Sequence, residues 1–231
     1  MSAMKIVLYD KRKKWEIILI TIILALLLWT YIVYYPNPYI FIRSLLRYAH
    51  FPVDPSIVGI IDEEIPNDPV EIENFVYKLV KYENDWANYG VPWYLTTPDD
   101  AVTRRKGDCE SRAMVLASIL SAKNIPYKLN ASLVHVWVEY PTKKPSSFEN
   151  GKISFVGKVD GKYKVKPPDL VQWQEYVSAE KELLWSAMPS HRKIIMVSGW
   201  AVILFSGCFM FVRLARKARP PLLSSIKKAK S

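Results

Sequence analysis

Two charge-free apolar runs of nineteen residues, 17–35 and 194–212, predict a membrane-spanning helix at each end of the chain. Between them an α+β domain is expected. Residues 113–120 are apolar nearly all round, as in a buried helix, and 127–165 reads as short strands broken by turn residues. The expected architecture is a buried helix packed on an antiparallel sheet, with one transmembrane helix before the domain and one after it.

The chain has 231 residues and a formal net charge of +10. Spread evenly, that charge would point to nucleic acid. It is instead concentrated at the ends: residues 1–14 net +4, residues 213–231 net +7, and residues 15–212 net −1. Basic tails abutting apolar runs describe a membrane topology and exclude a nucleic-acid surface as the reason for the charge. With the more basic flanks inside, both tails are expected in the cytoplasm and residues 36–192 outside. Of the two cysteines, Cys208 falls in the second apolar run. Cys109 is therefore the one thiol of the domain, and no disulfide framework is expected.

In chain order, residues 1–14 form a basic tail. The first span is expected over 15–35, its nineteen apolar residues covering roughly 28 Å as helix. Trp15 marks one interface and Trp29, Tyr31, Tyr34 and Tyr35 the other. The run is too long for a signal-peptide core and lacks a small-x-small exit, so an anchor is expected and not a cleaved leader. Pro36-Asn37-Pro38 ends the helix. Residues 36–84 are read as a juxtamembrane connector and the helical part of the domain. Within them, 40–49 is a short interfacial helix carrying Arg43 and Arg47, and 51–68 is a connector over the domain surface. Asp68 and Pro69 then cap a helix in which Ile72, Phe75, Val76, Leu79 and Val80 recur at helical spacing. Its Glu and Lys residues are expected to form a solvated face.

The core is expected over 85–192. It opens on an aromatic, turn-rich stretch with Trp86, Tyr89, Trp93 and Tyr94, which packs on the following helix or walls a cleft and supplies part of an oxyanion hole. Thr97-Pro98-Asp99-Asp100 caps a short helix reaching Val102. Strands are expected at 127–132 and 134–140, with a further hairpin of 153–159 and 162–165 around Asp160-Gly161. One or two helices in 170–188 lead to the second span, 193–212, and the basic tail 213–231 follows.

The chemistry centres on Lys106-Gly107-Asp108-Cys109-Glu110-Ser111. Asp108 is a natural N-cap, which puts Cys109 at the first helical position. There the unpaired N–H groups and the helix dipole favour thiolate over thiol. Asn124 and Pro126 stop this helix. A nucleophilic thiol needs a base within hydrogen-bond reach and an orienting group behind the base. Of the three histidines, His50 and His191 fall near the expected membrane ends, whereas His135 opens a strand.

Gly107-Asp108-Cys109-Glu110 opening a buried helix, followed by a strand beginning His135-Val136-Trp137-Val138-Glu139, resembles the transglutaminase-like (papain-like) cysteine-hydrolase superfamily over residues 86–160. The resemblance implies that Cys109 is the nucleophile and His135 the base. The acid that the family usually places in a W-x-x-x-D-like ending is absent. A tight hairpin at Thr142-Lys143 sets Asn150 opposite His135, with Glu149 beside it. A longer loop with 153–159 as the return strand brings Asp160 there instead. Asn150 is the favoured third member, its task being to fix the imidazole tautomer.

In some bacterial transglutaminase-like proteases, acidic residues at the places of Asp108 and Glu110 help bind calcium. Two acids in one turn fall far short of the roughly six oxygen donors calcium takes. Asp108 is therefore read as a cap, and no metal or cofactor is expected; no zinc-type cluster or phosphate loop is present in the sequence. The resemblance implies a membrane-anchored extracytoplasmic cysteine hydrolase, a peptidase or amidase, acting through a Cys thioester on a peptide or protein of the cell envelope. A transamidase would share that thioester. The alternative is a catalytically silent ectodomain that binds an envelope protein or peptide.

Overall fold

A computed structural model of the chain describes residues 3–132, 135–144, 156–159, 162–165, 177–178 and 180–217. The chain forms two compact units, Met1–Pro36 with Ser190–Ser231, and Asn37–Pro189.

The first unit is an antiparallel pair of helices, α1 (Ala3–Tyr34) and α7 (Ser190–Lys217). Lys13–Tyr34 and Ser190–Arg216 are long and apolar enough to cross a membrane. Small residues let the helices approach: Gly199 faces the Trp29 indole and Gly207 faces Ile22. Polar groups are satisfied between the helices. The Trp200 indole N–H donates to Thr30 Oγ1 at 3.0 Å, and Arg192 donates to the Val33 carbonyl at 3.0 Å.

The second unit contains α2 (Pro38–Ala49), a 3-10 turn (Pro55–Gly59), α3 (Pro69–Leu79), β1 (Lys81–Tyr82), α4 (Asp85–Asn88), α5 (Pro98–Arg104), β2 (Lys106–Gly107) and α6 (Cys109–Ala122). β3 (Lys128–Ala131), β4 (Val136–Glu139), β5 (Val156–Val159) and β6 (Lys162–Val165) follow, and a π-helical turn, Glu182–Ser186, comes before α7. The result is a mixed, helix-rich unit with small sheets. Its centre is α6, whose Met114, Val115, Ala117, Ile119 and Leu120 are fully buried. The apolar surface of α6 is covered by α3, α5, the 3-10 turn and β4, because a helix without a polar stripe must be enclosed on every side. Caps bound it as its residues dictate: Asp108 Oδ1 accepts from Ser111 N at 3.0 Å, and Asn124 takes a left-handed φ of 57° just beyond its end.

The larger sheet has the order β4-β3-β5-β6, antiparallel throughout, and β1 and β2 form a two-residue parallel bridge. The hairpin around residues 160–161 is as expected, since Val159 pairs with Lys162. The partner of β5 is not the one that would carry Asp160 to His135. β5 lies beside β3, and its Val156 end shares a row with Ala131 and Val136. The strand therefore runs away from His135 as it approaches residue 160.

Two further features differ from expectation. Residues 51–68 are more than a surface connector, since Phe51 and Ile57 enter the core against α6. The face of α3 is not all solvated either. Glu73 accepts from Lys143 Nζ at 2.8 Å and from the Tyr140 hydroxyl at 2.6 Å, and both members of the ion pair are nearly buried.

Candidate functional site

The site is set by the start of α6. The β1–β2 bridge pairs Tyr82 with Gly107, which fixes the chain one residue before the cap Asp108. Cys109 then sits half-buried at the first helical position. The backbone N–H groups of Val136 and Glu110 lie near its sulfur and act to lower the thiol's pKa. The thiol is thus placed against the residue that follows His135, on the same side of the fold as the histidine.

His135 is held through its backbone. Its N–H donates to Ser132 Oγ at 3.0 Å, and its carbonyl accepts from Ser132 N at 2.7 Å. The imidazole lies parallel to the buried indole of Trp137, with ring centroids 5.8 Å apart. Cys109 and His135 line the same cavity, of about 170 Å³, together with Tyr82, Trp137, Glu73 and Lys143. A second cavity, about 340 Å³, opens on the other side of Cys109 and Tyr82 and is lined by Trp93, Asp108, Glu110, Glu180 and Glu182 among others. Cys109 therefore stands between a mixed-charge cavity and an acidic one. Asn150, Glu149 and Asp160 lie outside the described residues, so the group behind the imidazole is not assigned.

The residues of the aromatic stretch before α5 divide between packing and lining a cavity. Trp86 is a packing residue, buried and donating to the Leu183 carbonyl at 2.8 Å. Trp93 lines the acidic cavity, stacks on Tyr48 with centroids 4.4 Å apart, and donates to Glu110 Oε1 at 2.8 Å. Its N–H is thereby engaged with a carboxylate and not held out for an oxyanion.

Asp85 was not identifiable as part of the site from the sequence. It caps nothing and belongs to α4, yet its carboxylate joins those of Asp108 and Glu110, with one oxygen from each within 4.8 Å of the others. Asp85 is 1 % exposed and Glu110 7 %. Asp85 Oδ2 accepts from Tyr94 N at 2.5 Å, and Glu110 Oε1 from the Tyr48 hydroxyl and Trp93. Asp85 Oδ1 and Glu110 Oε2 are buried without a hydrogen-bond partner. Burial, and then the neighbouring Asp108 carboxylate, push both Asp85 and Glu110 well above the usual carboxylate range. Three converging carboxylates, two of them with a buried oxygen that has no hydrogen-bond partner, could hold a divalent cation by oxygen ligation.

The same carboxylates act on the thiol. Burial first, and then Glu110 and Asp108, push the Cys109 thiol well above its ordinary value. This reverses the expectation of an acidic thiol from the helix terminus alone. The dipole contributes a fraction of a unit charge, and burial of the sulfur beside the acidic side chains of Glu110 and Asp108 outweighs it. Compared with known protein families, curated proteins and solved structures, the chain matches none.

Proposed function

We propose that the chain is a membrane-anchored cysteine hydrolase of transglutaminase-like type, acting on a peptide or isopeptide bond outside the cytoplasm. The reading is carried by one observation: Cys109, at the start of α6, and His135, just before β4, line one cavity of about 170 Å³. His135 takes the thiol proton, and the sulfur attacks the amide carbonyl. The backbone N–H of Cys109 contributes to holding the oxyanion. His135 then gives the proton to the leaving amine, and water resolves the thioester to a free acid and the thiol. An incoming amine in place of water would give transamidation. Asn150 is the group proposed behind the imidazole, with Glu149 as the alternative.

Asp85, Asp108 and Glu110 would hold a calcium-type cation, which when bound neutralises the charge that raises the thiol. The two apolar helices anchor the domain, and the basic tails favour cytoplasmic termini. In the experiment that tests the reading, the full chain is treated in detergent micelles containing calcium with an electrophilic thiol probe at neutral pH. Labelling of Cys109 is expected to be fast and to fall by about 10²-fold or more in His135→Ala. Equal, slow labelling of both proteins would overturn the proposal.

The second reading is a silent domain that binds an envelope peptide. The raised thiol favours it, since a thiol held protonated by burial is a weak nucleophile. The same probe separates the two readings.

A further inference from the structure

The helix α2 has two faces with different partners. Ser44, Arg47 and Tyr48 turn inward. Ser44 Oγ accepts from Leu95 N at 2.8 Å, Arg47 donates to the Leu95 carbonyl at 2.8 Å and to the Tyr94 hydroxyl at 2.9 Å, and Tyr48 stacks on Trp93 and donates to Glu110. These bonds fix the rotation of α2 about its own axis. The other face carries Tyr39, Ile42, Leu45 and Leu46, which are 51–64 % exposed and form a continuous apolar stripe at helical spacing. Arg43 borders the stripe, its guanidinium 6.0 Å from the Tyr39 ring centroid. With its polar inner face engaged, α2 cannot rotate to hide the stripe.

Continuity of the chain identifies what covers it. Three residues separate the end of the apolar helix Lys13–Tyr34 from Pro38, which opens α2. The four Cα–Cα steps from Tyr34 to Pro38 reach at most about 14 Å, so α2 starts within that distance of the end of a span. Asn37 caps α2 through a 3.0 Å bond from Tyr39 N, and Pro38 sets its first turn. A helix held there, apolar on its outward face and bordered by arginine, has the build of an element lying in the bilayer interface.

We infer that α2 is a membrane-docking helix with Tyr39, Ile42, Leu45 and Leu46 sunk among the lipid headgroups, and that its inner face holds the Cys109 site at that surface. Tyr48 reaches Glu110 directly from α2, so the site lies within about two helix diameters, ~20 Å, of the headgroup layer. What reaches Cys109 is then a membrane-proximal segment of a protein or peptide. That consequence rests on the reading of Cys109 as the nucleophile; the docking itself does not.

The test uses the full chain with Cys109→Ser and Cys208→Ser, in nanodiscs of phosphatidylcholine and phosphatidylglycerol. Single spin labels are placed at Ile42→Cys, Leu46→Cys and, as an exposed control on α3, Glu71→Cys. Because all three positions are exposed, labelling leaves the packing intact. At 42 and 46, collision with oxygen relative to an aqueous nickel chelate is expected to exceed that at 71 several-fold. Nickel access at 42 and 46 equal to that at 71 would overturn the docking, because the stripe would then face water. Protection of 42 and 46 from both reagents would also overturn it, because a second copy or another protein would then cover the stripe. The background lacks the thiol, so failure of the proposed chemistry leaves this result untouched.

Discussion

A methyl group at position 107 would collide with Cβ and Oγ of Ser111, with Val80 Cγ1 also at 3.4 Å. Ser111 cannot retreat, because its N–H and hydroxyl both donate to the Asp108 cap. The glycine is thus tied by contact, not by backbone conformation, to the placement of Cys109. Gly107→Ala is expected to cost about 1–3 kcal/mol, read as a lowered melting temperature in detergent. A second residue-scale prediction concerns Asp85. In chelator, Asp85→Asn removes one of three crowded buried carboxylates while an amide oxygen can still accept from Tyr94 N. The variant is expected to be more stable than the parent by about 1–2 kcal/mol. Calcium at a hundred times its dissociation constant is expected to stabilise the parent by about 2.7 kcal/mol and the variant much less. Melting curves with and without calcium check both signs.

At the scale of single elements, α5 shows how local bonds set a pH response. Partial burial alone would raise the Asp100 carboxyl, but hydrogen bonds from Arg104, Thr96 and Tyr89 outweigh it and hold the group below its usual value. A carboxyl depressed in the folded state contributes stability that is fully present above its unfolded value and lost as pH falls through its folded one. About a third of the Asp100 side chain is exposed, so screening limits the effect. Asp100→Asn is expected to lose about 1 kcal/mol near neutrality, with the difference fading below about pH 3. Melting temperatures across that range test it.

Features of this local kind were legible in the sequence. The caps at Asp68, Thr97 and Asp108 sit at their expected positions, because a cap depends on residues three or four apart. The β5–β6 hairpin was legible from its turn, but the strand that receives it was not. The patterns of β3 and β4 are equally able to receive β5, and only packing decides between them. Asp85 was hidden for the same reason, since the β1–β2 bridge and the bond from Tyr94 N hold it beside Asp108 from an earlier part of the chain. The thiol was misjudged because the helix dipole and the burial of 113–120 can be read from spacing, whereas the enclosure of Cys109 itself depends on segments distant in the chain.

For the whole molecule, the hairpin of α1 and α7 rests on fit and not on hydrophobicity, which lipid supplies equally to separated helices. Gly199 is where that fit is closest: a side chain there would occupy the space of the Trp29 ring, whose N–H lies 3.3 Å from the carbonyls of both Ile195 and Met196. Gly199→Leu should therefore separate the helices at this point and break the indole bonds. Interhelical hydrogen bonds in bilayers contribute about 0.6 kcal/mol on average, and packing at small residues adds to that. The expected loss is about 1–3 kcal/mol, read as a lower midpoint when the full chain in mild detergent is titrated with dodecyl sulfate and followed by Trp fluorescence. Phe205→Leu, at a side chain 76 % exposed on the same helix, changes an apolar side chain away from the Trp29 contact and should leave the midpoint unchanged. Equal effects from the two substitutions would mean that the helices are held by lipid alone. The Trp29 notch would then have no part in keeping the two ends of the chain together.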